Sequence, residues 1–324
     1  VRLPTAEGRL YSGVTIGPDG RLYATTLTGE IARWDIDPAT GELGDIQVIT
    51  TVVDNMGSQR FVTGLAFDPS SKPDKLIAWV THTQYAFEQA SDWTGRITML
   101  RGANLESYRE MVTGLPRSVR DHVTNQPVFG PDGFLYVGQA ANTAMGRADP
   151  VWGNRPERPL SGAILRVKTA DLIARRNFGL GPLNVKTSDG GGTYNPFKKS
   201  NPVRIYASGL RNTYDLVFHR NGRLYAPTNG SAAGGNTPAG NGAPALSAVK
   251  QTQSDFLFDV VEGGYYGSPN PTRNEFVLNG GNPTSAADLF EVTPYPIGTQ
   301  PEATWRPAVY DFGKSLSPNG AVEY

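Results

Sequence analysis

The stretch Gly130-Pro131-Asp132-Gly133-Phe134-Leu135-Tyr136-Val137 joins a tight turn to a short strand. Proline pre-sets φ, aspartate bonds back to its own backbone, and glycine accepts positive φ. The aromatic and branched residues that follow favour an extended chain. The phrase recurs as Gly17-Pro18-Asp19-Gly20-Arg21-Leu22-Tyr23 and as Asn221-Gly222-Arg223-Leu224-Tyr225. A looser copy runs from Asp68-Pro69 to Leu76-Ile77, and a last one opens at Ser317-Pro318-Asn319-Gly320. Apolar strands precede the copies (Thr63–Phe67, Gln126–Phe129, Tyr214–Phe218), and strands that open on glycine follow (Gly29–Trp34, Gly95–Leu100, Gly162–Val167). A turn-plus-strand unit repeated with variable insertions reads as a β-propeller, with about five units. Residues 1–324 are read as one all-β domain, with the ring incomplete towards the C-terminus.

Composition agrees with many short strands and many turns, because 38 Gly and 25 Pro in 324 residues exceed the usual share. Lys and Arg (30) balance Asp and Glu (30), and no basic run stands out, which argues against nucleic acid as a partner. No apolar run is long enough for a transmembrane helix. The absence of cysteine excludes disulfides, thiolate metal sites and a cysteine nucleophile. The chain begins at Val1 without a leader sequence and reads as a mature or partial chain. Two stretches depart from the repeat: residues 139–159, rich in Pro and Arg, and residues 230–242, rich in Gly, Ala and Asn. Both read as loops. Asp171–Phe178 is the one segment with a helical pattern.

His122, one of three histidines, follows Asp121 just ahead of the strand. Imidazole is the side chain best suited to gain and lose a proton near neutral pH. On the residue alone, a buried structural histidine is the commoner outcome.

Several ordered phrases resemble the glucose/sorbosone dehydrogenase family, the soluble quinoprotein sugar dehydrogenases. They are Val62–Pro69, Asp121-His122 with Phe129–Tyr136, Ser161–Val167, Ile205–Asn212 and Glu262-Gly263-Gly264-Tyr265-Tyr266-Gly267. The resemblance implies a six-bladed propeller of four-stranded antiparallel blades. It also implies pyrroloquinoline quinone (PQQ) over the central channel with Ca²⁺, a sugar substrate, an external electron acceptor, and an extracellular or periplasmic location. By position, His122 would be the general base with Asp121 beside it. Arg211 would stabilise the reduced quinone, Asn212 and Gln59 would contact the cofactor, and the carbonyls near Gly230 and Ser231 would face Ca²⁺. Thr213-Tyr214 follow Asn212 where the family has Pro and a small or amide residue, and Tyr214 is bulky for a cofactor face. The alternative is a non-catalytic extracellular propeller whose loops bind protein or glycan.

Overall fold

A computed structural model describes residues 3–324. Seventeen strands are assigned. The first sheet holds β1 (Tyr11–Ile16), β2 (Leu22–Thr26), β3 (Ile31–Trp34) and β4 (Gln47–Ile49). The second holds β5 (Arg60–Phe67), β6 (Ile77–Gln84), β7 (Gly95–Arg101) and β8 (Ser107–Leu115). The third begins with β9 (Thr124–Phe129), β10 (Leu135–Gln139) and β11 (Ala163–Val167). β12 (Leu183–Asn184) returns to pair in parallel with β8 of the second sheet, and β13 (Val203–Ser208) completes the third. The fourth holds β14 (Val217–Phe218), β15 (Leu224–Thr228), β16 (Asp255–Val260) and β17 (Tyr310–Gly313). All pairings apart from that of β12 are antiparallel.

The innermost strands β1, β5, β9 and β14 pack against one another in sequence. Polar side chains stitch them together. Ser12 Oγ donates to the Val62 carbonyl, Thr63 Oγ1 to the Thr124 carbonyl, and Asn125 Nδ2 to the Thr213 carbonyl. The Tyr214 hydroxyl reaches across to the Ser12 carbonyl at 2.8 Å, tying the fourth unit to the first. Tyr214, anticipated as an obstacle on a cofactor face, is a strut between sheets.

The repeated phrase has one physical purpose. Asp19 Oδ1 accepts from the Arg21 amide and Asp19 Oδ2 from the Tyr23 hydroxyl. Asp132 does the same for Phe134 and Tyr136. Asp68 caps Ser70 and takes the Trp79 indole N–H in place of a phenol. Asn221 caps Arg223 and donates to the Tyr225 hydroxyl. Each turn is thereby locked to its own strand, one phrase per sheet.

The anticipated six blades are not found: the described residues form four sheets. Among the described residues no strand follows the phrase at Ser317. Its residues lie against the fourth sheet, where the Ala321 amide donates to Asp215 Oδ2 and Glu323 pairs with Arg220. Apolar cores fill the interfaces of the first sheet with the second (Tyr23, Val62, Leu65), the second with the third (Trp79, Ile97, Val137) and the third with the fourth (Tyr136, Leu216, Phe256). A cleft of about 1110 Å³ is lined by the inner strands of all four sheets and by the residues after Ser317, with Val14, Ile16, Phe67, Phe129, Leu216 and Val322 on its walls.

The anticipated helix is present as Thr169–Asn177, and a shorter one, Thr51–Met56, was not signalled by the sequence. Among the described residues no helix is long and apolar enough to cross a membrane.

Gly64 shows how tightly the inner strands meet. A Cβ there would lie 2.0 Å from Gln126 Oε1 and 2.6 Å from Gln126 Cα on the neighbouring sheet. The side chain could move aside, but the backbone could not. Gly64→Ala is therefore expected to cost about 2–3 kcal/mol, seen as a lower urea midpoint with an unchanged slope. A midpoint equal to the parent's would mean the two sheets separate freely.

Candidate functional site

His122 is positioned by a turn ahead of β9. Ser118 Oγ accepts from the His122 and Arg120 amides, and the Ser118 amide donates to the His122 carbonyl. Beneath it the fully buried Arg117 guanidinium bonds four carbonyls, those of Gln84, Ala86, Ser118 and Arg120. The imidazole is only 4% exposed, and its Nδ1 lies 2.9 Å from the Ala141 carbonyl. A carbonyl only accepts, so Nδ1 carries the proton and Nε2 keeps the lone pair. Burial, followed by the Arg211 charge, pushes the imidazole pKa well below its usual value, and the Ala141 bond only partly offsets this.

Arg211 follows β13 and is 7% exposed. It donates to the Gly230 carbonyl at 2.7 Å and, more weakly, to the Thr143 carbonyl at 3.4 Å. No carboxylate lies within ion-pair distance of it among the described residues. Burial lowers its pKa to about 10, which leaves it charged at neutral pH.

His122 and Arg211 converge on a third residue. The Trp152 ring lies 4.0 Å from the imidazole and 4.9 Å from the guanidinium carbon. The indole packs against both base and cation. It sits in the short 3-10 turn Pro150–Trp152, where Asp149 Oδ1 accepts from the Trp152 amide and Oδ2 from the Ala144 amide. Behind it, the Glu157 carboxylate is fully enclosed. It accepts from the Asn142 and Thr143 amides and from the Thr143 and Ser161 hydroxyls. Burial pushes its carboxyl up, and the four donors pull it back.

The stretches that departed from the repeat meet here. Ala144, Met145 and Trp152 form one apolar cluster with Ala243, Val249, Val277, Leu278, Val292 and Tyr295. By type, Trp79, Trp93 and Trp305 could stack on a sugar, with core or inter-blade packing the better reading for most of them. Trp79 is core, Trp93 lies under Arg158 and Lys186, and Trp305 packs on Phe290. Trp152 was missed. Its one signal was its place in a loop that follows the His122 strand pair.

The remaining expected site residues fall out differently. Asp121 is exposed and makes no hydrogen bond to His122, whose ring is held by Ala141 instead. Gln59 is exposed ahead of β5 and shares no hydrogen bond or ring contact with His122 or Arg211. Asn212 is engaged in an amide relay: Asn125 Nδ2 donates to Asn212 Oδ1, and Asn212 Nδ2 donates to Asn229 Oδ1. The Gly230 carbonyl is taken by Arg211, and Ser231 Oγ accepts from the Gln253 amide. A Ca²⁺ at Gly230 would lie against a guanidinium, which repels it. No group of three or more His, Asp or Glu that could hold a metal occurs among the described residues.

The residues as placed do not fit a flat tricyclic quinone. Trp152 packs against both His122 and Arg211, and the cavity beside Arg211 amounts to about 30 Å³, room for one or two waters.

A family model described as "Strictosidine synthase-like, N-terminal" matches residues 13–34, a span of β1 to β3. No curated protein matches the chain. The chain is similar in fold to the holo form of the pyranose dehydrogenase PQQ domain from Coprinopsis cinerea, with TM-score 0.52 and 14% identity, over 81% of this chain and 55% of that one. The PQQ-bound aldose sugar dehydrogenase from Streptomyces coelicolor aligns with TM-score 0.49 and 22% identity, over 83% and 65%. A calcium structure of the Trichoderma reesei carbohydrate-active enzyme family AA12 aligns with TM-score 0.45 and 14% identity, over 81% and 56%. The chain thus spans about two thirds or less of each of these proteins. At 14% identity the likeness to the Coprinopsis cinerea domain bears on the fold alone.

Proposed function

We propose that the chain carries the proton-accepting side of an oxidoreductase acting on a sugar hydroxyl, of the PQQ-dependent kind, in a closed conformation. One observation carries this reading: an imidazole with its lone pair kept on Nε2 and a buried guanidinium both lie against a single indole, close enough for the cation to lower the imidazole pKa. A neutral imidazole accepts a hydroxyl proton, and a fixed cation favours negative charge developing nearby. None of the chain's own side chains accepts a hydride, so a bound group must do so. In the Coprinopsis cinerea propeller that group is PQQ. Here it would require the indole to leave. An aldose substrate, an external electron acceptor and an extracellular or periplasmic setting belong to the same proposal. Calcium belongs to it only through the resemblance.

The second reading, a cofactor-free propeller that binds protein or glycan, is favoured by the indole packed against both side chains. The two separate in one assay. Protein incubated with PQQ and Ca²⁺ should reduce a dye when given aldoses, and His122→Ala should lower the rate about 100-fold or more. PQQ binding should also change tryptophan fluorescence as Trp152 moves. An inactive parent protein whose fluorescence ignores PQQ would leave the binding reading in possession.

A further inference from the structure

The small cavity beside Arg211 has polar walls whose direction the structure fixes. Its lining includes Arg211, Asn229, Gly230, Ser231 and Gln253, with Phe256 and Tyr266 among the apolar residues. Thr213 offers only a carbonyl to Asn125, which sets the orientation of the whole amide relay. Asn125 Nδ2 donates to Asn212 Oδ1, and Asn212 Nδ2 to Asn229 Oδ1. Asn229 Nδ2 is then left as a buried donor with no partner. Nε2 and Oε1 of the Gln253 side chain are likewise buried and without a partner, so this amide brings an acceptor to the cavity as well as a donor. A buried N–H with nothing to donate to costs about 1–3 kcal/mol, so two such groups at one cavity need an acceptor. The guanidinium beside them has two protein acceptors for its five N–H groups.

We propose that this cavity is a binding site for a small monovalent anion of chloride size. The volume of about 30 Å³ exceeds the ~10–15 Å³ that admits one water. The donors are those an anion needs: a guanidinium, two amide N–H groups and the Ser231 hydroxyl. The nearby carboxylates do not compete for them. Asp255 is committed to the Gly230, Leu316 and Ser317 amides, Asp149 to those of Trp152 and Ala144, and Glu157 to its own four donors. The sign of the site is therefore opposite to the cation site that the resemblance placed at Gly230 and Ser231. The proposal stands independently of the redox reading.

The test is thermal unfolding of the intact chain in sodium gluconate, with chloride or bromide replacing gluconate at constant ionic strength. Both halides should raise the midpoint saturably, by about 3 °C or more. Gln253→Met keeps the volume and removes the amide, and should abolish the response. Asn229→Asp supplies a fixed carboxylate beside Arg211 and should abolish it too, so the test survives if either variant fails to fold. Equal midpoints in chloride and gluconate would overturn the proposal. So would a chloride response that both variants retain, since that would be an unspecific salt effect.

Discussion

Glu157→Leu is expected to destabilise the protein by about 3–5 kcal/mol, the range for breaking a buried charged network by deleting one member. The carboxylate organises the turn that returns the 139–159 loop to β11. It holds the Asn142 and Thr143 amides and the Thr143 and Ser161 hydroxyls, all buried. Leucine of similar size fills the volume and accepts nothing, so four donors lose their partner in a site closed to water. The loss should reach the site as well. Ala141, whose carbonyl orients the His122 ring, immediately precedes Asn142, and Trp152 sits in the loop that Glu157 anchors. Glu157→Gln should fall between, because its carbonyl serves some donors while its amide N–H₂ opposes the others. Guanidinium unfolding followed by tryptophan fluorescence gives the measurement. A leucine variant within about 1 kcal/mol of the parent would mean the carboxylate is dispensable to the loop.

How much of this was legible beforehand depends on the range of the interaction. The Asp–Tyr bond inside the first and third phrases spans four residues, as in Asp132 to Tyr136, so the sequence carries it whole. That is why the propeller architecture and the strands around Leu22, Leu135 and Leu224 could be read directly. The number of sheets could not be read so surely, because the Ser317 phrase has the turn residues but no strand partner, and only tertiary pairing reveals that. The site divides in the same way. His122 and Arg211 could be named from their flanking phrases, and their convergence followed from the ring of inner strands. That an indole would pack against both could not be foreseen. Trp152 is placed by a non-repeating loop, through Asp149, Glu157 and packing against residues around Val249, Leu278 and Tyr295. Asp121 misled for the same reason: adjacency in sequence suggested a partner for the imidazole, while the Ala141 carbonyl, distant in sequence, holds it.

Acidification should weaken the fold more steeply than a neutral chain of this kind would otherwise suggest, because two of its three histidines are buried in forms that resist protonation. His122 is lowered by burial first and Arg211 second. His82 is lowered by burial first, then by Arg60 and Arg96; its Nδ1 accepts from Arg60 and its Nε2 meets the Thr98 hydroxyl. Both folded-state pKa values lie below the unfolded value of about 6.5. The stability from keeping these rings neutral is therefore present above that value and is lost as pH falls towards the depressed folded values. Within that window unfolding takes up one proton per histidine, so the unfolding constant should rise about tenfold per pH unit for each, or about a hundredfold for the pair. Glu157 and Asp215, whose carboxyls burial pushes up, act in the opposite sense near the carboxylate range, so the comparison belongs between pH 7 and 5.5. Denaturant midpoints across that interval measure the slope. His122→Gln should reduce it by one proton even if the variant is less stable throughout. A parent slope near zero would mean that both imidazoles protonate in the folded chain, which would place water or an acceptor beside rings that the structure encloses.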